Sequence, residues 1–320
     1  MKAVEHKKYG PPEVLRVIET SKPTPKDNEV LIQVHATTLN RTDTGFRGAN
    51  YFVSRLITGL LKPKKTITGT EFAGKITSIG KGVKEYKVGD KVFGFDDSKF
   101  GAHAEYKVEP SAGPMAKIPE GFNYYDVAAA GEGATYALNI LESAGVKKGQ
   151  NVLIYGASGA IGSAAVQISK HLGAKVTAVC GTKNVKLLKS LGADKVYDYQ
   201  KENFTETLDR FDLILDAVGK SSYGTCKTLL SPKGTFASSE LGPWGQNVFL
   251  AIWFAATGRR KVTFPIPKIN REKMNRIKQL LESGDYKPVI DRTYDLDEIV
   301  EASRYAESGQ KTGNIVIRII

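Results

Sequence analysis

From Val152 onward the chain runs an apolar strand, a glycine turn and an amphipathic helix end to end. Val152-Leu153-Ile154-Tyr155 leads into Gly156-Ala157-Ser158-Gly159-Ala160-Ile161-Gly162, and Ile161, Ala165, Ile168 and Leu172 then fall on one helical face. A strand that passes straight into a helix meets its next strand in parallel, after the helix has crossed the sheet, so a chain built around this unit folds as α/β. The rhythm recurs. Val176–Cys180, Lys195–Tyr197, Phe211–Asp216 and Gly234–Ala237 read as further strands with helical segments between them.

The glycine turn carries its own chemistry. Gly159 lets backbone approach a pyrophosphate, Gly162 lets helix and strand touch, and the first helical turn offers N–H groups with no intrahelical acceptor. Ser158, Gly159, Ala160, Ile161 and Gly162 are therefore expected to hold a dinucleotide. Alone, such a cluster reads as an ordinary strand-to-helix turn; the flanking strand and helix favour the cofactor. At the end of the next strand, where an acid would hold the ribose hydroxyls, the chain has Cys180-Gly181-Thr182-Lys183-Asn184. A hydroxyl beside an ammonium suits a 2′-phosphate, so NADPH is the expected cofactor, with Tyr199 lying beside them after the third strand. The alternative makes Thr182 a helix cap, Lys183 a solvated charge and Tyr199 packing. Ala217, Val218 and Gly219 follow the fourth strand as a cofactor-side loop, although Gly219 reads equally as a plain turn. Pro265 and Ile266 complete the cofactor-binding set.

A length of 320 residues allows two domains. Up to about residue 120 the chain consists of short period-two runs broken by Gly, Pro, Asp and Asn, the pattern of a β-barrel, with Val30, Ile32, Val34 and Ala36 sharing one face. A final stretch from about Pro265 carries one amphipathic helix through Met274, Ile277 and Leu281 and ends in the strand Ile315–Ile320. That strand is expected to pack back on the β domain, since a lone strand has nothing to pair with. Lys and Arg number 46 against 34 Asp and Glu, a net charge of +12. The lysines are spread in short groups such as Lys62, Lys64 and Lys65 rather than in a stripe interleaved with aromatics, so no nucleic acid is expected. Of the histidines, His6 and His171 read as exposed and His103 as packing. Two cysteines, Cys180 and Cys226, exclude a disulfide framework and a cysteine-built zinc module and fit a reducing compartment. The longest apolar run, Val248 to Ala256, is roughly half of what a membrane span needs. The start, MKAVEHKKYG, lacks the apolar core of a secretory signal, so a cytoplasmic location is expected.

Leu39-Asn40-Arg41-Thr42-Asp43, Gly69-Thr70-Glu71-Phe72-Ala73-Gly74, Val88-Gly89-Asp90-Lys91-Val92-Phe93-Gly94, Gly156–Gly162, Leu191-Gly192-Ala193-Asp194 and Lys287-Pro288-Val289-Ile290-Asp291 form a specific set. On these motifs the chain resembles, nearly end to end, the zinc-independent quinone oxidoreductase branch of the medium-chain dehydrogenase/reductase superfamily, which includes NADPH-dependent alkenal and enone reductases. The resemblance implies a GroES-like β-barrel catalytic domain from both chain ends (1–124 and 265–320), a Rossmann doubly wound parallel-sheet domain (125–264), and a cleft between them. The positions of the zinc ligands in alcohol dehydrogenases of the superfamily correspond to Asn40, Thr70 and a site near Gly131, so no metal is expected. Asn314 stands where the family commonly has the lysine of a Gly-Lys pair.

The activity this implies is hydride transfer from NADPH to the electrophilic carbon of a quinone or an α,β-unsaturated carbonyl. Asn40 is expected to line the nicotinamide cleft with an amide able to hold substrate or a water, Asp43 to fix that loop or to cap a helix, and Thr135 to lie near the nicotinamide or, alternatively, to serve in capping or packing. Tyr51 and Tyr136 are candidate donors to the developing oxyanion, or packing. The segments Gly48 to Lys65 and Pro243 to Gly258 line the cleft mouth or form the interface of a homodimer. A binding protein on the same scaffold and an enoyl-thioester reductase are the competing readings.

Overall fold

The computed structural model describes residues 1–49, 55, 58–259 and 261–320. It divides into two compact units, one comprising Met1–Glu132, Ile269–Glu282 and Pro288–Ile320, the other Gly133–Lys268 and Ser283–Lys287.

The first unit opens with the antiparallel pair β1 (Lys2–Glu5) and β2 (Arg16–Glu19). Its main sheet is built from β3 (Glu29–Thr38), β4 (Glu71–Ile79), β5 (Lys91–Phe95), β6 (Tyr106–Pro110) and β7 (Met115–Lys117). The alternation in β3 has a physical outcome: Val30, Ile32, Val34 and Ala36 are wholly buried, the first three packed with Phe72, Ile76, Val92 and Met115. At Gly74 a Cβ would lie 2.2 Å from Gln33 O, so only glycine lets β4 lie this close to β3. Directly after β3, helix α1 (Arg41–Gly48) begins at Asn40.

In the second unit, α2 (Gly131–Ala144, shared at its first turn with the first unit) precedes a fully parallel sheet. The strands are β8 (Asn151–Tyr155), β9 (Lys175–Cys180), β10 (Lys195–Asp198), β11 (Phe211–Asp216), β12 (Leu230–Ser238) and β13 (Val262–Thr263), in spatial order β10-β9-β8-β11-β12-β13. That is the doubly wound order, with its switch point between β8 and β11. Helix α3 (Ala160–His171) follows β8 and buries Ala164, Ala165 and Ile168. Helix α4 (Gln246–Ala256) keeps Phe249, Ile252 and Trp253 largely in solvent. Among the described residues no helix is long and apolar enough to cross a membrane.

The returning segment adds α5 (Arg271–Glu282), β14 (Ile290–Asp295), α6 (Ile299–Glu307) and β15 (Asn314–Arg318). The final strand does pack on the β unit: β15 pairs antiparallel with β3, Ile317 opposite Thr37, and β14 lies parallel outside it. The strand ends at Arg318, two residues before the expected terminus. Neither β14 nor α6 was apparent in the sequence.

Candidate active site

The candidate cofactor site stands at the carboxyl ends of the parallel strands. After β8 the chain turns at Gly156, whose φ is +73°. A Cβ on Gly162 would lie 2.3 Å from Gly156 O and 2.7 Å from Ala157 Cα, so glycine is what seats α3 against the turn. A Cβ on Gly159 would meet only Gly156 O, at 3.6 Å, which leaves open space above the turn. Helix α3 starts with no side-chain cap on its first N–H groups, and Ser158, Ala160 and Ile161 are half-buried around them.

At the end of β9, Cys180 is buried, and burial pushes its thiol up to about 11, far from a reactive thiolate. Tyr199 N donates to Cys180 O, and the Tyr199 hydroxyl lies 3.2 Å from where a Cβ on Gly181 would stand. Gly181, Thr182, Lys183 and Tyr199 are thus brought together, the last three exposed. Sequence reasoning missed two partners here. The Thr182 hydroxyl donates to Asp198 Oδ2 at 2.6 Å, and Thr182 N to Gln200 Oε1 at 3.0 Å. An acid does stand beside Thr182, contributed by the third strand instead of the second.

The next loop is shaped by Asp216, fully buried at the end of β11. Its carboxylate accepts from Val218 N, Gly219 N and Ser221 N at 2.9–3.1 Å, and Gly219 takes φ +68°. Ala217 is buried, and Pro265 and Ile266 follow β13, the latter 83% exposed. Thr135, on α2, is wholly buried, yet its Oγ1 has no hydrogen-bond partner among the described residues. A buried hydroxyl rarely goes unpaired, so an acceptor or donor from outside the chain is expected there. The open turn at Gly159, the uncapped helix start and this orphaned hydroxyl all fit a dinucleotide.

The first unit holds a buried polar cluster at the start of α1. Asn40 is 1% exposed and occupies the N-cap, and its backbone N–H donates to Asp43 Oδ2 at 2.9 Å, the reciprocal half of a capping box. Thr70 Oγ1 donates to the other Asp43 oxygen at 3.3 Å, and burial nevertheless raises the Asp43 carboxyl to about 6. Asn40 Nδ2 donates to Glu71 Oε2 and to Asn314 Oδ1, both at 3.1 Å, while Asn40 Oδ1 accepts from Lys311 Nζ at 2.8 Å. Glu71 also accepts from Thr38 Oγ1 and from Glu132 N. Burial, and then Glu132, raise Glu71 to about 8; burial, and then Asp43, raise Glu132 to about 7. Glu132 Oε1 accepts from Thr42, and its Oε2 has no partner among the described residues. Beside Asp43 a cavity opens, lined by Phe46, Ile67 and Phe100 together with Arg47, Lys64 and Lys65.

Glu71, Glu132 and Lys311 were not selected from the sequence as site residues; Glu71 sits inside the Gly69–Gly74 motif, and Lys311 three residues before Asn314. The Tyr51 assignment lies outside the described residues. His103 is a buried bridge between Thr68 Oγ1 and Thr38 O, both 2.7 Å away, and burial lowers it to about 4, so it stays neutral. His6, expected in solvent, is 6% exposed, held by Thr66 O, and lines the cavity beside Asp43.

Residues 26–120 match the alcohol dehydrogenase GroES-like domain, and residues 191–317 match the zinc-binding dehydrogenase domain. The 2-methylene-furan-3-one reductase of Solanum lycopersicum is 33% identical over 100% of this chain and 79% of its own. The chain belongs to the quinone oxidoreductase and enone reductase branch of the medium-chain dehydrogenase/reductase superfamily. Another relative of the branch is the chloroplastic NADPH-dependent alkenal/one oxidoreductase of Arabidopsis thaliana, 28% identical over 99% of this chain and 79% of that one. The quinone oxidoreductase of Coxiella burnetii superimposes with a TM-score of 0.89 at 28% identity, covering 100% of this chain and 99% of that one. For this medium-chain reductase the zinc implied by one domain's description does not fit. The donors at 40, 70 and 131 are an amide, a hydroxyl and no side chain, and an ammonium already stands on Asn40 Oδ1.

Proposed function

We propose that this medium-chain reductase is an NADPH-dependent oxidoreductase of quinones and α,β-unsaturated carbonyls that works without zinc. The observation that carries the reading is the joint presence of a dinucleotide turn open above Gly159 and, at Asn40, an ammonium in place of metal ligands. A simple ketone needs a Lewis acid to be polarised, whereas a conjugated carbonyl or quinone is already electrophilic. When bound, NADPH supplies the hydride. The chain supplies position: the α3 N-terminus for the pyrophosphate, Lys183 and Tyr199 for the 2′-phosphate, and the Thr135 hydroxyl for the nicotinamide end. The names of the tomato and Arabidopsis relatives support the same substrate class.

The test is NADPH oxidation across 2-alkenals, longer enones, quinones and an enoyl thioester, with NADH in parallel. Turnover of alkenals or quinones is expected. Turnover of the thioester alone would move the protein to the enoyl reductases, and none at all would favour a binding protein. A cytoplasmic location and a homodimer are proposed with it, the first supported by two buried, unpaired cysteines and the second by the exposed Phe249, Ile252 and Trp253 of α4.

A further inference from the structure

Asn40 was the sequence-based candidate for holding substrate, and its hydrogen bonds leave it nothing to offer. Both hydrogens of its amide go to Glu71 Oε2 and Asn314 Oδ1, and its oxygen is taken by Lys311. It is also 1% exposed, whereas Lys311 is only half-buried. Lys311 Nζ carries three hydrogens, of which one goes to Asn40 Oδ1 and one to Gly313 O. The third has no acceptor among the described residues. Among the members of the Asn40 cluster, then, Lys311 combines an unspent donor with a side chain that is not fully buried.

The loop bearing it is anchored. Thr312 N donates to Asp291 Oδ2 at 2.8 Å, and Asn314 places both its backbone N and its Nδ2 on Val289 O. Gly313 takes φ +65°, and a Cβ there would lie 2.2 Å from Val289 O. Asn314 accepts from Asn40, and the cation arrives from three residues earlier.

We propose, resting on the reductase reading, that Lys311 is the catalytic hydrogen-bond donor to the acceptor's carbonyl oxygen, with Asn40 and Gly313 as the residues that position it. Negative charge grows on that oxygen as hydride reaches the β-carbon of an enone or a ring carbon of a quinone, and a fixed N–H aimed at it favours that state over the ground state. The surrounding charges agree. Burial lowers the Lys311 pKa to about 8, opposed by Glu132, Glu71 and Asp291 and reinforced by Arg41. Asp43 belongs to the same cluster through Asn40 and Thr70. The group is thus an ammonium at neutral pH and loses its charge just above it.

The test uses the intact protein. Lys311→Met is expected to lower kcat for an enone about 100-fold, the loss typical of one oxyanion donor, while the Kd for NADPH measured without acceptor stays within about threefold. The alkaline fall in wild-type kcat near pH 8 is expected to move well upward in Lys311→Arg, since guanidinium does not titrate there. A second readout needs neither cofactor nor turnover. Trace acetylation with acetic anhydride, followed by peptide mass spectrometry, should give Lys311 a titration midpoint near pH 8, below that of the surface lysines. If Lys311→Met fails to fold, Lys311→Arg and the labelling still decide. A Met variant with wild-type kcat, an unmoved alkaline limb in the Arg variant, or an unreactive Lys311 would each overturn the proposal. Failure of the wild type with every acceptor would instead overturn the reductase reading.

Discussion

Glu71 joins the buried cluster, since Thr38, Asn40 and the Glu132 backbone all donate to its carboxyl. Its folded pKa, about 8, lies above the ordinary 4.5, so the stability it contributes is fully present below about 4.5 and is lost as pH rises through about 8. Asp43 and Glu132 act in the same direction. Glu71→Gln keeps the shape and removes the titration, so its melting temperature relative to wild type is expected to climb steadily between these two pH values; thermal denaturation read as a difference checks this. His103 works oppositely, its contribution present above 6.5 and lost as pH falls through about 4, and it cancels in the difference. At the cofactor, the Thr182 hydroxyl, expected to face a phosphate or to cap a helix, donates to Asp198, sixteen residues along the chain and brought alongside by the pairing of Asp198 with Cys180, which local inspection of the sequence does not reveal. Lys183→Ala should therefore weaken NADPH at least tenfold and NADH little, about 1.4 kcal/mol or more of selectivity, read from the two Kd values. Equal losses would place the phosphate elsewhere.

At the scale of elements, the strand, glycine turn and helix at 151–171 were legible because each glycine has a separate steric task. Gly162→Val should lower stability, because its Cβ meets Gly156 O and Ala157 within 2.8 Å. Gly159→Ala has only one neighbour, at 3.6 Å, so the melting temperature of the cofactor-free protein should hold while NADPH affinity falls at least tenfold. Calorimetry with and without NADPH separates the two, and a Gly159→Ala protein that binds NADPH normally would remove the pyrophosphate from this turn. The elements that escaped notice did so for physical reasons. The buried face of α6 is Ile299, Ala302, Ser303 and Ala306, with one large apolar residue, too faint a stripe to mark a helix. Strand β14 reads Ile-Asp-Arg-Thr-Tyr-Asp, buries only Tyr294, and is an edge strand with one partner. The cluster around Asn40 escaped for a different reason: Thr38, Glu71, Glu132 and Lys311 come from four distant stretches, and each alone reads as a common polar residue.

Across the whole molecule, the alternation of short strands before residue 120 and of strands with helices after residue 151 separated two kinds of sheet, and the structure divides accordingly into a mainly antiparallel unit and a fully parallel one. The net charge of +12 is a poor guide to partners, because the proposed function draws on few of its cations, chiefly Lys183 and Lys311. The activity proposed for this protein is reduction of a conjugated carbonyl or quinone by NADPH without a metal. The direct measurement is product analysis after incubation with a 2-alkenal and NADPH deuterated at the transferable C4 position, in the presence of a metal chelator. The expected product is the saturated aldehyde, formed one for one with NADPH consumed and carrying deuterium on its β-carbon. Tight NADPH binding with no saturated product, or activity abolished by the chelator and restored by zinc, would contradict it.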